Sequence, residues 1–344
     1  MSLTSVGSSR PSLVDAEPSL PRPRGEVSTF LLDSLRRPPH HLGPGPASTD
    51  DPLLGDDAAL ALYLCYELHY RGWAGVDVNW EWEPSLLAVR RSLEDRFIEA
   101  LFDEVGPPAP CADVEEYLDD LLALGSGPSL SGYLASTGTI AQFREFAVHR
   151  SAYQLKEADP HSWALPRLSG PPKAALVAIQ CDEYGRGEPV EMHSSLFAET
   201  LLALDLDAEY GAYLEHIPAV TLTTVNLISL LGLHRRWRGA LVGHLAIFEM
   251  ASVGPNTAYG NGLRRLGLGP EATRFYDIHV TADAVHQVLA REILAGGLAR
   301  AEPAISGDIA FGARAIMATE ERFSRHLLGT WSAGRSSLYR PLAD

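Results

Sequence analysis

The chain is poor in the features that would place it in several common classes. Its 344 residues include three cysteines, Cys65, Cys111 and Cys181, far apart and without any CxxC spacing. A disulfide framework and a cysteine-ligated zinc site are therefore excluded, and three structural thiols in a reducing cytoplasm are expected. No long basic stripe offsets the formal net charge of −16, so a nucleic-acid surface is excluded. No apolar run reaches membrane length: the most apolar stretch, Pro218–Leu233, is short and carries Asn226 and several threonines. The first residues lack a basic-then-apolar order, so no secretion signal is expected. Strand-like alternation is nearly absent and no internal repeat occurs. An all-α fold remains.

Hydrophobic residues make up 46% and charged residues 21%, which suits a globular protein. Residues 1–50, rich in Pro, Ser and Gly, cannot bury enough apolar surface to offset the entropy of ordering. A flexible arm is expected there. Residues 51–128 form an N-terminal helical extension, with helices over Asp56–Arg71, Pro84–Glu104 and Asp113–Leu124. The core, 129–344, is helical over about 139–159, 172–185, 189–205, 209–232, 234–253, 270–296 and 302–328.

The densest chemistry lies in Phe275–Leu294. His279, Asp283 and His286 stand at offsets of zero, four and seven, so on a helix they fan over only about 60°. Ala282, Leu289, Ala290 and Ile293 lie on or beside that face, which therefore points inward. Two imidazoles and a carboxylate converging in an apolar interior suit iron, manganese or zinc. A second pair comes from EYGRGEPVEMH. Glu183 continues the apolar stripe of Leu176 and Ile179, and His193 heads one formed by Leu196, Phe197, Leu201 and Leu204. A single straight helix would not align Glu183 with His193, but GRGEP supplies a break that lets both face one cavity. Two further choices occupy TIAQFREFAVHRSAYQLKEADPHSW. Glu157 lies on one face, and Glu145 with His149 on another; spacing alone favours the Glu145–His149 pair. Glu249, in HLAIFEMAS, is a reserve carboxylate, either a group that supports the ligands from behind or a structural partner of Arg264 or Arg265, with the structural reading preferred. Tyr184 and Phe197 are candidate pocket walls. No Glu-x-x-His occurs anywhere, which disfavours a ferritin-like dimetal site.

These residues resemble the haem-oxygenase-like di-iron oxidases and oxygenases, often described as iron-containing redox enzymes. The resemblance covers about residues 130–330 and rests on HVTADAVH, on EYGRGEPVEMH and, more loosely, on Glu157 in QLKEADPHSW. It implies a haem-oxygenase-like helical bundle with an N-terminal helical extension. It also implies metal ligation by Glu157, Glu183, His193, His279, Asp283 and His286, with two Fe(II) ions as cofactor and O2 as co-substrate. The reactions it implies are N-oxygenation, desaturation or oxidative C–C cleavage of a small metabolite such as an amino acid or fatty acid. The implied partners are that substrate and, where turnover needs one, an external electron donor; a homodimer is compatible, while nucleic acid and membrane are not expected. Two rival classes share the fold: a metal-free thiaminase-like hydrolase with Cys181 as nucleophile, and a helical binding protein with a polar interior.

Overall fold

Helix boundaries follow local chemistry. In this computed structural model, which describes residues 17–342 apart from Ser126 and Pro128, α1 (Glu26–Leu35), α2 (Asp56–Glu67), α3 (Pro84–Val105) and α4 (Val114–Leu124) precede the core. Pro84 opens α3, and Asp113 caps α4 by accepting from the Glu116 amide. Then follow α5 (Leu130–Ser136), α6 (Ile140–Gln154), α7 (Asp159–Ser162), α8 (Gly170–Glu183), α9 (His193–Ala203) and α10 (Ala219–Leu233). The chain ends with α11 (Arg238–Met250), α12 (Val253–Arg265), α13 (Pro270–Val288), α14 (Gly297–Ala301) and α15 (Ser306–Ser332). A capping box between Thr139 and Gln142 starts α6. No strand occurs among the described residues, so the all-α expectation holds.

The apolar helix α10 is buried on nearly every face, as an all-round hydrophobic helix must be. It packs against α2, α11 and α15. α11 and α15 approach most closely at two glycines: a Cβ on Gly243 would run into the Ile309 carbonyl, and one on Gly312 into the Ala240 carbonyl. α13 packs on α9, α11 and α12. The helices α8, α9, α11 and α13, with the end of α6, thus converge on one interior space.

Four expectations are corrected. Within the expected arm, Glu26–Leu35 is helical and packs on α2, burying Val27, Leu31, Leu32 and Leu35; residues 1–16 lie outside the described residues. α10 starts ten residues later than expected, because Gly211 at φ 79° and then Pro218 reset the chain. α12 forms despite Gly254, Pro255, Gly260 and Gly262, since the close fit of Gly262 against α5 and Phe143 outweighs its poor propensity. The helix expected over 270–296 changes to π-helix at Leu289–Gly296. The wider turn rotates less per residue, so Ile293 leaves the inward face and is 37% exposed.

The extension is tied to the core by charge as well as by apolar contact. Lys156 donates to Glu67 at 2.9 Å, both side chains being buried, and the Tyr210 hydroxyl sits 2.8 Å from each Glu67 oxygen. Removing one member of such a pair strands a charge in the interior. Lys156→Met should therefore lower unfolding free energy by about 3–5 kcal/mol in urea titration, whereas Lys156→Met with Glu67→Gln should cost clearly less.

Candidate metal centre

The polar side chains of the centre are delivered by several local devices. α13 carries His279, Asp283 and His286 on one buried face. α8 ends at Glu183; Gly185 (φ 64°) and Arg186 (φ 55°) then take left-handed conformations, and a short turn over Pro189–Glu191 leads to His193 as the first residue of α9. A side chain at Gly185 would strike the backbone of Glu191 and Met192, so glycine is required for this reversal. Glu157 lies just beyond α6, before Ala158 at φ 75°, whose carbonyl accepts from Gln180 at 2.7 Å. Left-handed non-glycine residues thus adjoin the segments that bring in Glu157 and Glu183, a location where backbone strain often collects.

The ligand atoms fall into two groups of four. Glu157, Glu183, His193 and His279 offer atoms all within 4.8 Å of one another, and so do Glu183, Glu249, Asp283 and His286. Glu183 belongs to both. All seven residues are buried. Glu183 Oε2, His193 Nδ1, Asp283 Oδ1 and His286 Nδ1 lack a hydrogen-bond partner among the described residues. His193 Nδ1 and Glu183 Oε2 are only 2.7 Å apart, yet the two are not aligned as donor and acceptor. Lone pairs converging in this way on shared points, unpaired in a dry interior, fit a metal ion better than a hydrogen-bond network.

The far sides of the imidazoles are held in place. His279 Nδ1 donates to the Phe275 carbonyl at 2.8 Å, which turns Nε2 toward Glu157, 3.5 Å away. His286 Nε2 donates to Asp182 at 3.0 Å, which turns Nδ1 toward Glu249 (3.4 Å) and Asp283 (3.5 Å). Ser252 donates to Asp283 and accepts from Asn256. Such outer contacts fix the tautomer and ring orientation that a metal ligand needs.

Burial raises Glu183 to about 7 and Glu249 to about 8. Burial alone would lower both imidazoles on the other side of the balance. Glu157 and the neighbouring acids instead lift His279 to about 10, and Asp283, Glu249 and Asp182 lift His286 to about 11. His193 goes the other way, to about 4, under burial and the adjacent His279. Without a metal, protons supply the positive charge that this many acids demand.

The structure brings together all six residues expected from the sequence and adds Glu249. The structural reading of Glu249 is corrected: Arg264 pairs with Asp277, and Arg265 donates to the carbonyls of Leu134, Ala135 and Gly138. The signal was available, because Glu249 closes the apolar stripe of Val242 and Leu245 just as Glu183 closes its own. Asp182 was missed, since a half-exposed acid beside Glu183 looks like a solvated one. Glu145 and His149 lie elsewhere. Glu145 accepts from Trp331 and Ser337, and His149 bonds Thr221 and Ser337, so the pair anchors the C-terminal segment. Cys181, expected to be a structural thiol, is exposed, and it is not among the residues lining the cavity next to the site. Tyr184 bonds Asp159 and Ser162 instead of lining that cavity; Phe197 does line it.

The cavity has a volume of about 310 Å³ and reaches the centre at Glu157 and His279. Comparison with known proteins agrees with the chemistry. The model of a family described as iron-containing redox enzyme matches residues 144–321. The nitrosourea synthase of Streptomyces achromogenes subsp. streptozoticus is 26% identical over 209 residues, which are 59% of this chain and 44% of that protein. The chain thus spans less than half the length of that relative.

The raised groups set a pH dependence. Glu183, Glu249, His279 and His286 all bind protons more tightly folded than unfolded, so their contribution is present at low pH and is lost as pH rises through the folded values. His193 opposes this only between about 4 and its ordinary value near 6.5. The metal-free protein should accordingly melt at progressively lower temperature from about pH 6.5 to 9. Saturating Zn(II) should flatten that slope by replacing the protons. Thermal melts followed by circular dichroism test this, and a flat metal-free profile would contradict the charge arrangement.

Proposed function

The chain belongs to the iron-containing redox enzyme family, and from that premise we propose that it is a non-haem di-iron, O2-dependent oxidase or oxygenase acting on a small metabolite. Glu157, His193 and His279 would hold one iron and Glu249, Asp283 and His286 the other, with Glu183, a member of both groups, available to each. The observation that carries this reading is the pair of four-residue groups sharing Glu183. Carboxylate oxygens and imidazole nitrogens are the donors ferrous iron accepts, and none of these ligands is a thiolate. Once bound, the two irons supply the electrons and open positions needed to activate dioxygen.

The chain's own residues do the rest. The Phe275 carbonyl and Asp182 hold His279 and His286 with one lone pair turned inward. Burial of all seven ligands keeps bulk water from the reacting atoms. Phe197, Phe248 and Phe275 wall the approach from the cavity and leave its end at Glu157 and His279 as the place where a substrate meets the centre. The outcome is N-oxygenation, desaturation or oxidative C–C cleavage of an amino acid or fatty acid, and a relative named for making a nitrosourea favours attack at nitrogen. An external electron donor would complete turnover where the substrate does not supply all the electrons. Free thiols suit a reducing cytoplasm as the working compartment, and no helix among the described residues is long and apolar enough to cross a membrane.

Anaerobic reconstitution with ferrous iron should load about two ions per chain, fixed by the ligand count. Glu249→Ala should cut this to about one, and His286→Ala should lower bound iron and abolish oxygen consumption while helicity by circular dichroism is kept. Glu145→Ala should leave loading intact where Glu157→Ala does not. A wild-type chain that takes up no iron would sink the proposal and favour a metal-free relative of the same fold.

A further inference from the structure

The cavity beside Glu157 and His279 contains an ion pair that metal binding does not use. Arg150 on α6 donates through both terminal nitrogens to the two oxygens of Glu320 on α15, at 2.9 and 2.7 Å. Both residues line the cavity, and their side chains remain 18% and 26% exposed. The Phe323 ring lies 4.3 Å from the guanidinium carbon and supports it from below. Burial works against the Glu320 carboxylate, but Arg150 outweighs it and holds the group below the usual range, so the pair is fully charged.

The pair is not saturated. A guanidinium has five N–H donors and a carboxylate about four acceptor positions, and the fork between them uses two of each. Even with the Tyr259 hydroxyl as a further partner of Arg150, donors and acceptors are left side by side. Placing two charges in a largely buried pocket is expensive and seldom the most stable way to join two helices. Arg150 and Gln154, one turn apart near the end of α6, and Glu157 just beyond that end all line the cavity. The charged pair and the metal-facing groups Glu157 and His279 thus share the walls of one cavity.

We infer that Arg150 and Glu320 form the head-group subsite for an α-amino acid. The substrate carboxylate takes the spare N–H groups of Arg150, its ammonium takes the spare lone pairs of Glu320, and its side chain extends toward His279. This rests on the reading of the Glu157–His279 end as the reacting end. It narrows the substrate because a fatty acid would set its carboxylate against Glu320, and a simple amine would set its ammonium against Arg150. Only a ligand carrying both charges on one carbon satisfies both residues.

The test is calorimetry on the iron-loaded, anaerobic full chain with L-norleucine and L-lysine. Each is compared with its analogue lacking the ammonium (hexanoate, 6-aminohexanoate) and with its analogue lacking the carboxylate (pentylamine, 1,5-diaminopentane). At least one amino acid should bind, and its analogues should bind at least about tenfold more weakly, the scale of one lost charged hydrogen bond. The charge-swapped variant Arg150→Glu/Glu320→Arg keeps an ion pair between α6 and α15. It should retain wild-type iron content and melting temperature yet lose the same tenfold or more. Should the swap not fold, Arg150→Lys, which keeps the charge but not the planar fork, replaces it with the same expectation. Binding of neither amino acid, equal binding of the analogues, or unaltered binding by the variant would overturn the inference. Iron analysis of the same samples separates the two ideas: selective binding without iron removes the di-iron proposal alone, and iron without selectivity removes the subsite alone.

Discussion

Four carboxylates, Glu157, Glu183, Glu249 and Asp283, crowd into one buried space, and the rest of the molecule answers to that crowding. Taking a carboxylate out of water costs several kcal/mol, and acids placed side by side add repulsion. Only positive charge at the same spot makes the arrangement tolerable. Three imidazoles are the only basic groups in the cluster, and two of them are pushed far up toward the protonated form. A pair of divalent cations would do the same task with better geometry, because several of the donor atoms already lack any other partner. Stability and metal binding are thus two aspects of one electrostatic requirement.

That requirement also explains where the backbone departs from regular helix. Glu183 and His193 reach the cluster from consecutive helices only because the chain reverses through Gly185 and Arg186. Glu157 reaches it only because the chain leaves α6 and turns at Ala158. Directly after His286, α13 opens into π-helix, a local widening found frequently at functional sites. The widened turn lets α13 aim its polar face at the cluster while Ala290, Leu294 and Ala295, on the following segment, are buried in the packing next to α8 and α11.

Much of this was legible from spacing. The offsets of His279, Asp283 and His286 placed them on one inward face, and GRGEP marked the break that unites Glu183 with His193. These signals are local, and local rules govern a single helix well. What stayed hidden needed tertiary knowledge. Spacing favoured Glu145 with His149, and only the position of the C-terminal segment shows that this pair bonds Trp331, Thr221 and Ser337 instead. Glu249 was assigned to arginines near it in sequence, while the partner it meets, His286, comes from a helix beyond them. The composition of the N-terminal stretch suggested an arm, but Val27, Leu31 and Leu35 recur at helical spacing and find an apolar partner in α2. A few well-spaced apolar residues outweighed the surrounding Pro and Gly.

The centre is asymmetric with respect to the cavity, and this has a chemical consequence. Of the seven clustered residues, Glu157 and His279 line the cavity, whereas Glu183, His193, Glu249, Asp283 and His286 do not. A molecule in the cavity would therefore meet the edge formed by Glu157 and His279. The second group of four is set behind it, reached through Glu183. The inner half of such a centre can be tuned from outside the cavity lining by Asp182 on His286, whereas Ser252, which bonds Asp283, lines the cavity itself. The outer half shares its walls with the pocket, so the proposed ligand-recognising residues and the metal-facing Glu157 and His279 border the same space. Arg150 and Gln154 close α6 and Glu157 follows the turn beyond it, so on the proposed reading the end of that helix would set both what is bound and which of its atoms reaches the centre.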